Sequence, residues 1–571
     1  NLQQRGRVLR RHIVKWQILV AGLGMALVLA LLGTVTFSVA TIVVPDVGGT
    51  YVEAVVGRPR WINPVLCQLN EVDEDISSLV FTGLMRVGQT GELEPDLAER
   101  WEIGADGRSY TFTLRSDAKW HDGNPVIADD VVYTIRALQD PSYQGPTQYA
   151  ELWRGVSIEK LSNTSVKFTL KDAYSPFLEF TTQGILPSHL LGKVAPRSLP
   201  EAEFNARPVG TGPFRVVKAS LGQITLEAYD AFYGAKPFLR QIEFRFYDDY
   251  DVAATALRQE QVHAVGRLPS HIVNQLAGNE RVTTYFAPES SKLTLLLFNT
   301  RDPVVSDGAV RQAVAFGLDV PRLIDKVLDG QGERAYGPVV PQSWAYKKDI
   351  NKHDYNPVKA RELLDNAGWV DPDGDGVRQK GDQLLRFTLL TNDNAQRITA
   401  TQEIARQLEA IGFKIEVQAT NWTGFVRDFL VPKKFQVALT EQWSPNADPD
   451  CYQFWHSSQI KEGLNFANWA NRKADDLLER ARRTADIVER TRLYHEFQTV
   501  FAEELPGIPL YYPVYDFALS KDVKGFEPGL LLRPADRFRN CAEWYVRTKR
   551  IVGAFQPSDQ RDRQEQRSLQ Q

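Results

Sequence analysis

Cysteine is scarce in this chain. Cys67, Cys451 and Cys541 are the three cysteines among 571 residues, and they are too few and too scattered for a disulfide framework or a thiolate metal site. One pair could still form a disulfide outside the cytosol. Three free thiols are the prediction. A disulfide is the alternative, for which Cys67 and Cys541 are the better pair because both are expected in one lobe of the fold.

The motifs of common enzyme classes are absent as well. The chain has no G-x-S-x-G, H-E-x-x-H or Walker A motif, and its eight histidines do not cluster at metal-ligand spacing. The segment Gly210–Gly212 resembles part of a dinucleotide loop, but Pro213 removes a backbone N–H that phosphates need. We predict a turn there, a structural role for His121 beside Asp122, and no catalytic residue.

Charge of one sign is not in large excess. Lys and Arg number 67 and Asp and Glu 71, for a formal net charge of -4. Outside the amino-terminal arm, no long basic stripe with interleaved aromatic residues occurs. A surface that tracks a phosphate backbone needs such a stripe, so the composition argues against nucleic acid as a partner.

One long uncharged run stands out near the start. No charged residue lies between Trp16 and Pro45, and 18–44 is long enough to span a bilayer as a helix. The basic arm at 1–17 would then stay in the cytoplasm. We predict an N-terminal transmembrane helix. A cleaved signal peptide is the alternative, since Ser38-Val39-Ala40 is a small-x-small pattern.

The length of the chain predicts more than one lobe, because 571 residues exceed one hydrophobic core. In the middle, the apolar runs Leu293–Phe298 and Leu385–Leu390 predict strands, and a helix ending at Gly412 leads to another strand at 413–417. This alternation predicts an α/β lobe. Strands with long irregular connections predict a mixed α+β lobe, at Ser165–Leu170, Gln223–Tyr229 and Gln241–Phe246.

The most informative segment is 108–136. Its first residues alternate apolar and polar, which predicts a half-buried strand around Phe112. A turn at His121–Pro125 follows, and Asp129-Asp130 opens an amphipathic helix. This order of strand, H-D-G-x-P loop and D-V helix resembles the family 5 solute-binding proteins of ABC transporters, which are receptors for peptides, dipeptides and nickel.

Further segments match that family in order, so the resemblance runs from about Tyr51 to about Phe526. No single one is specific, but the ordered set is. They are Leu97–Glu102, Gly210–Phe214, Val310–Val314, Lys359–Leu364, Asp371–Gly376 and Asp448–Asp450.

The resemblance implies a two-lobed, type II periplasmic-binding-protein-like fold in its large family 5 variant, with a cleft between an α+β and an α/β lobe. Lobe I would take 45–290 and return at 513–552, lobe II would take 291–512, and 553–571 would be a disordered tail. The implied function is an extracytoplasmic receptor that captures oligopeptides or a similar solute for an ABC permease and ATPase. A membrane-tethered sensor or adhesion protein and an extracellular hydrolase are the alternatives.

Ligand binding is expected at the loop that follows a predicted strand in the second lobe. Loops at strand ends commonly hold binding groups, and the candidates are Trp443, Asn446, Asp448, Trp455 and, from a first-lobe loop, Asn63. The resemblance implies an Asp near position 446 that pairs with a dipeptide's amino group, and this chain has Asn446 there. The ligand is therefore expected to be larger than a dipeptide, or neutral.

An aspartate-rich turn is the candidate metal site. Asp371, Asp373, Asp375 and Asp382 match positions 1, 3, 5 and 12 of an EF-hand-type calcium loop, and Gly376 falls at position 6. Against calcium, Pro372 is unusual and Asp382 is shorter than the usual Glu. A structural Ca²⁺ site and a plain Asp/Gly turn both remain open, and no other cofactor is expected.

Overall fold

The computed structural model describes residues 41–145, 147–444 and 446–552, together with residues 16, 22–25, 27 and 28. The chain divides into two compact units, one formed by the residues up to Gly49 and from Tyr545 onward and the other by Thr50–Trp544. In the first unit, strand β1 (Thr41–Pro45) pairs antiparallel with the last strand of the chain (Thr548–Val552).

Most of the predicted transmembrane segment lies outside the described residues, as does the predicted disordered tail. The last residues of that segment, 41–44, belong to strand β1, so a helix that continues to Val44 is wrong at this end. Within the part of the chain that the structure describes, no helix has both the length and the apolar character to cross a membrane.

The elements from Thr50 to Pro288 include short 3₁₀ turns at Cys67–Leu69, Pro196–Glu201 and Glu203–Ala206. The strands are β2 (Thr50–Val56), β3 (Met85–Val87), β4 (Leu93–Pro95), β5 (Ala98–Ile103), β6 (Ser109–Leu114), β7 (Val156–Ser162), β8 (Ser165–Leu170), β9 (Phe214–Ala219), β10 (Gln223–Ala228), β11 (Gln241–Tyr247), β12 (Ala264–Gly266) and β13 (Val282–Pro288). The helices are α1 (Glu71–Val80), α2 (Ala128–Gln139), α3 (Thr147–Arg154), α4 (Phe177–Phe180), α5 (Ser188–Leu191), α6 (Tyr250–Arg258) and α7 (Ser270–Leu276).

The elements from Lys292 onward include a π-helical turn at Phe425–Leu430 and 3₁₀ turns at Pro534–Phe538 and Cys541–Glu543. The strands are β14 (Lys292–Phe298), β15 (Gly332–Arg334), β16 (Gln379–Lys380), β17 (Gln383–Leu384), β18 (Arg386–Asn392), β19 (Lys414–Thr420), β20 (Val437–Trp443), β21 (Gly507–Ser520) and β22 (Thr548–Val552). The helices are α8 (Gly308–Gly317), α9 (Val320–Leu328), α10 (Pro357–Asn366), α11 (Ala395–Glu409), α12 (Trp422–Gly424), α13 (Tyr452–Trp455), α14 (Gln459–Glu462), α15 (Arg472–Arg483) and α16 (Ile487–Glu504).

One long sheet runs through the second unit in the order β19-β18-β20-β14-β21-β12-β2-β11-β10-β9. The 14-residue strand β21 is shared: its first part pairs with β14 and β15, and its second part pairs with β12 and β13. We use "first lobe" for 50–288 with 514–544, and "second lobe" for 292–512. The predicted boundaries at 290 and 512 stay predictions.

The predicted strand, helix and strand of the second lobe are confirmed. Strands β18 and β19 pair in parallel, and α11 connects them. Between the helix and β19, Gly412 has a positive φ of 101°, which glycine adopts without strain. The apolar faces of these elements pack into one core with β14 and β20.

The segment singled out in the sequence is also as predicted. Strand β6 buries alternate residues, and α2 buries its apolar positions, which include Ile135 and Leu138. The His121 ring bonds the Gly212 carbonyl at 3.0 Å and accepts from the Gly210 amide at 3.2 Å, a structural role. A Cβ at Gly210 would lie 1.9 Å from the Val80 carbonyl oxygen, so only glycine fits in this turn.

A buried ion cluster ties the end of the second unit to its beginning. Arg537 donates to Glu53 at 2.6 Å and to Asp75 at 2.7 Å, and all three side chains are buried. Glu53 lies in β2 and Asp75 in α1, so one guanidinium connects three segments that are far apart in sequence. The three cysteines are buried and free, and the disulfide alternative is wrong.

Replacing Arg537 with alanine should destabilise the protein by about 3–5 kcal/mol, because the buried Glu53 would lose its counter-charge and Asp75 would keep only Arg267 at 3.4 Å. Urea unfolding measures the change. The control is Arg58→Ala, which removes an exposed partner of the exposed Asp248 and should leave stability within about 0.5 kcal/mol of wild type. Similar losses in both variants would contradict a special role for the buried cluster.

Candidate functional site

The two lobes touch where α4 of the first meets a loop of the second. Glu179 in α4 accepts hydrogen bonds from the backbone N–H groups of Ala447 and Asp448, the latter at 2.8 Å. Residues 444 and 446–451, which we call the Asp448 loop, follow directly after β20. Ser175 adds a further bridge, since its hydroxyl donates to the Thr484 carbonyl at 2.6 Å.

Two arginines of the second lobe form ion pairs with aspartates of the Asp448 loop. Asp448 forms a buried ion pair with Arg490 of α16 at 2.7 Å, and Asp450 pairs with Arg482 of α15 at 2.7 Å. The guanidinium of Arg482 also lies 3.9 Å from the centre of the Tyr452 ring. These contacts leave the backbone N–H groups of the loop facing the first lobe.

A cavity of about 320 Å³ lies at this contact, and we call it the interlobe cavity. Its walls are mainly first-lobe residues, with Asn446 contributed by the Asp448 loop. The first-lobe lining comes from the face of α1 that carries Glu74, Ser77 and Ser78, from β3, from 179–184 and from 533–542. A smaller cavity of about 50 Å³ lies on the second-lobe side of the same loop and also includes Asn446.

The interlobe cavity is rich in buried carboxyl groups whose pKa values are raised. Burial raises the pKa of Asp96 to about 6, of Glu74 to about 7 and of Glu179 to about 8. Arg533 lies 3.6 Å from Glu74, and the Tyr233 hydroxyl donates to Asp96 at 2.5 Å. The cavity walls thus combine buried acids with three arginines, Arg86, Arg533 and Arg539.

The predicted ligand residues do not all meet at this site. Asn446 and Asp448 lie in the loop as expected, although the Asp448 carboxylate is taken up by Arg490. Trp443 is 44% exposed, and it is not among the residues that line either of the two cavities. Its strand neighbour Gln442 does line the smaller cavity, because successive strand residues point to opposite faces.

Two predicted ligand residues are deeply buried. Trp455 is 1% exposed and packs edge-on against Phe501, because the short helix α13 turns it into the second-lobe core. Asn63 is fully buried and donates to Asn205 at 3.0 Å. Both side chains are occupied by packing inside their own lobes, and a direct role in ligand binding stays a prediction for each.

Sequence reasoning missed Glu179. An acid within Pro176–Phe180, among apolar and aromatic residues, was the available signal, because a charge rarely sits in such a run without a specific contact. Its partners are backbone groups some 270 positions away, which no local pattern indicates.

The predicted calcium loop is only partly assembled. Carboxylate oxygens of Asp371, Asp373 and Asp375 lie within 4.8 Å of one another and are exposed. Asp371 accepts hydrogen bonds from Gly374 and Gly376 amides, as in a plain Asx turn. Asp382, in the turn between β16 and β17, does not join the group within the described residues. Calcium binding stays a prediction.

The calcium hypothesis predicts that chelation lowers the melting temperature, because an ion bound only by the native state stabilises that state. Asp373→Ala should abolish the response, whereas Asp354→Ala, an exposed acid elsewhere, should retain it. Differential scanning calorimetry with millimolar Ca²⁺ or a chelator provides the measurement. If the wild-type melting curves with Ca²⁺ and with chelator superimpose, the calcium hypothesis is wrong and the segment is a plain Asp/Gly turn.

The chain is similar to known proteins in sequence and in fold. A sequence model described as "Bacterial extracellular solute-binding proteins, family 5 Middle" matches residues 92–490. The chain is 31% identical over 515 residues to the oligopeptide-binding protein AppA of Bacillus subtilis, with 88% of this chain and 92% of that protein covered. It is 25% identical over 501 residues to the dipeptide-binding protein of Escherichia coli, with 82% and 90% covered.

Solved structures give the same result. The structure of B. subtilis AppA in complex with a nonapeptide matches with a TM-score of 0.61 and 29% identity, covering 88% of this chain and all of that one. The structure of NikZ from Campylobacter jejuni in complex with Ni(L-His) matches with a TM-score of 0.63 and 28% identity, covering 87% and 99%.

Proposed function

Because this chain belongs to the bacterial extracellular solute-binding proteins of family 5, we propose that it captures oligopeptides between its two lobes. The protein is a substrate-binding receptor of an ABC importer, and members of its family are extracytoplasmic binding proteins rather than enzymes. The partners we propose are the permease and ATPase of that importer. Likeness to an oligopeptide receptor over nearly the whole chain is the observation that carries the peptide class.

The interlobe cavity supports a ligand held between lobes. Its volume of about 320 Å³ is near the lower end of the roughly 300–1,000 Å³ of small-molecule pockets. It could enclose a short peptide or one end of a longer one. A longer peptide requires the lobes to separate, which would break the hydrogen bonds of Glu179 to the Asp448 loop.

Opening and closing would be guided by two connections between the lobes. One is the short segment 289–291, between β13 and β14, and the other is the middle of β21. Hinges of this kind absorb backbone rotation while the packed lobes move as rigid bodies. Ligand capture then couples to closure, and the closed form is the one that we propose to be recognised by the permease.

Peptide binding should depend on access to the interlobe cavity. Ser78 lines the cavity yet is exposed, so Ser78→Trp should narrow the entrance and weaken peptide binding by roughly 1–3 kcal/mol through steric crowding. Isothermal titration with a short peptide pool measures this. Ser306→Trp, on an exposed second-lobe position outside both cavities, is the control.

Mass spectrometry of the ligand that co-purifies with the chain identifies its chemical class. Recovery of peptides, together with unchanged binding by the control, is the expected result. A protein that retains no peptide and binds none of the pool would contradict the proposal, as would equal affinities of wild type and Ser78→Trp.

We further propose a membrane tether through residues 18–40 of the uncharged run, which precede strand β1 and are long enough to span a bilayer as a helix, with the basic arm at 1–17 in the cytoplasm. The expected result is that the intact chain sediments with membranes and is released by detergent but not by salt or alkali. Cleavage by signal peptidase after Ala40 would instead yield a soluble chain that begins at Thr41. Amino-terminal sequencing of the mature protein separates these outcomes.

A further inference from the structure

Glu179 differs from the other carboxylates at the lobe contact. Glu179 is only 8% exposed and forms no ion pair with a described cationic side chain, although the charge of Arg533 acts on its carboxylate. Asp448, equally buried, has Arg490 at 2.7 Å, and Asp450 has Arg482. The only hydrogen bonds that the Glu179 carboxylate accepts from described residues come from two uncharged amides, those of Ala447 and Asp448.

A buried carboxylate without a counter-charge is unfavourable. Removing an ion from water costs free energy, and hydrogen bonds from neutral donors offset only part of that cost. Burial accordingly raises the pKa of Glu179 to about 8 and the neighbouring Asp448 charge acts in the same direction, while the two backbone amides and the charge of Arg533 offset this only in part. A cation placed beside Glu179 would reverse this effect and favour the ionised form.

The space for such a cation is the interlobe cavity. Glu179 lines it, and the hydroxyl of Ser77, a residue 4% exposed, lines it too without a hydrogen-bond partner among the described residues. Of the other cavity acids, Glu74 lies near Arg533, Asp96 accepts from Tyr233 and Asp536 pairs with Arg539 at 3.1 Å, so all three already have partners. A carboxylate offers about four acceptor positions, and amides fill two of those of Glu179.

We propose that Glu179 binds the positively charged nitrogen of the ligand, an ammonium or guanidinium group that enters the interlobe cavity. This inference rests on the proposed peptide function, within which the cation is either the free amino terminus or a Lys or Arg side chain. Because the carboxylate also bonds the Asp448 loop, the site is complete only when the lobes are together. A cation bound there therefore favours closure over the ligand.

The test uses three short alanine-based peptides titrated calorimetrically at neutral pH: one with a free amino terminus, one that is N-acetylated, and one that is N-acetylated with a single lysine. Wild type should bind at least one charged peptide on the order of 10- to 100-fold more tightly than the neutral one, as expected for a hydrogen bond to a charged group. Whichever charged peptide is preferred identifies the source of the cation.

Glu179→Gln should bind all three peptides alike, whereas Glu179→Asp, which keeps the charge, should retain a preference. Glu159→Gln, an exposed acid in β7, is the matched control and should behave as wild type. Thermal melting establishes that each variant is folded. The ratio of wild-type affinities for charged and neutral peptides is measured without any variant, so the proposal can be tested even if a variant is unstable.

Three results would overturn the cation site while leaving peptide binding in place. The first is equal wild-type affinities for charged and neutral peptides, and the second is a Glu179→Gln variant that keeps the wild-type preference. The third is a Glu179→Gln variant whose affinities for all three peptides fall by the same factor, which indicates a purely structural contact between lobes. If wild type binds none of these peptides or the pool, the peptide function itself fails, and the cation site fails with it.

Discussion

Strand β21 is the constraint on which the arrangement of the two lobes depends. Its 14 residues belong to one continuous strand, yet β14 and β15 pair with its beginning and β12 and β13 with its end. Backbone hydrogen bonds on both sides fix the register of each lobe against the same strand. The lobes therefore meet beside β21, and the cavities form where the loops after β20 and α4 face each other.

Electrostatics at that contact follow a consistent pattern. Buried acids within each lobe form ion pairs with arginines of the same lobe. Arg537 pairs with Glu53 and Asp75 in the first lobe, and Arg490 pairs with Asp448 in the second. Glu179 sits between lobes and has only backbone amides. Burial leaves Glu179 with a raised pKa, so the ligand cation that we propose would favour its ionised form as the lobes close.

The Asp448 loop shows how an acid named from sequence can have a different task from the one expected. Its carboxylate accepts hydrogen bonds from Arg490 and Tyr494 of α16 and so holds the loop to its own lobe. The groups presented to the first lobe are the backbone amides of Ala447 and Asp448. Substitutions at this aspartate would therefore act first on the geometry and stability of the loop.

The sequence alone determined the regular elements and the family. Period-two burial in β6, the buried run of β14 and the strand-helix-strand order of β18, α11 and β19 were predictable, because periodicity and turn residues are local signals. The ordered set of segments from Leu97 to Asp450 indicated the family, and the family resemblance implied the two-lobed fold. Most of the uncharged run at 18–44 lies outside the described residues, and its strand end at 41–44 was missed because a β-branched apolar run suits a helix in lipid and a strand alike.

Tertiary structure decided which side chains form the site. Trp455 looked like a ligand residue but fills the core, while Glu179, hidden in a short aromatic helix, reaches the cavity. Trp443 and Gln442 are neighbours in sequence yet face opposite sides of a strand. A residue's role at the site depends on which distant segment packs against it, and neither local periodicity nor composition carries that information.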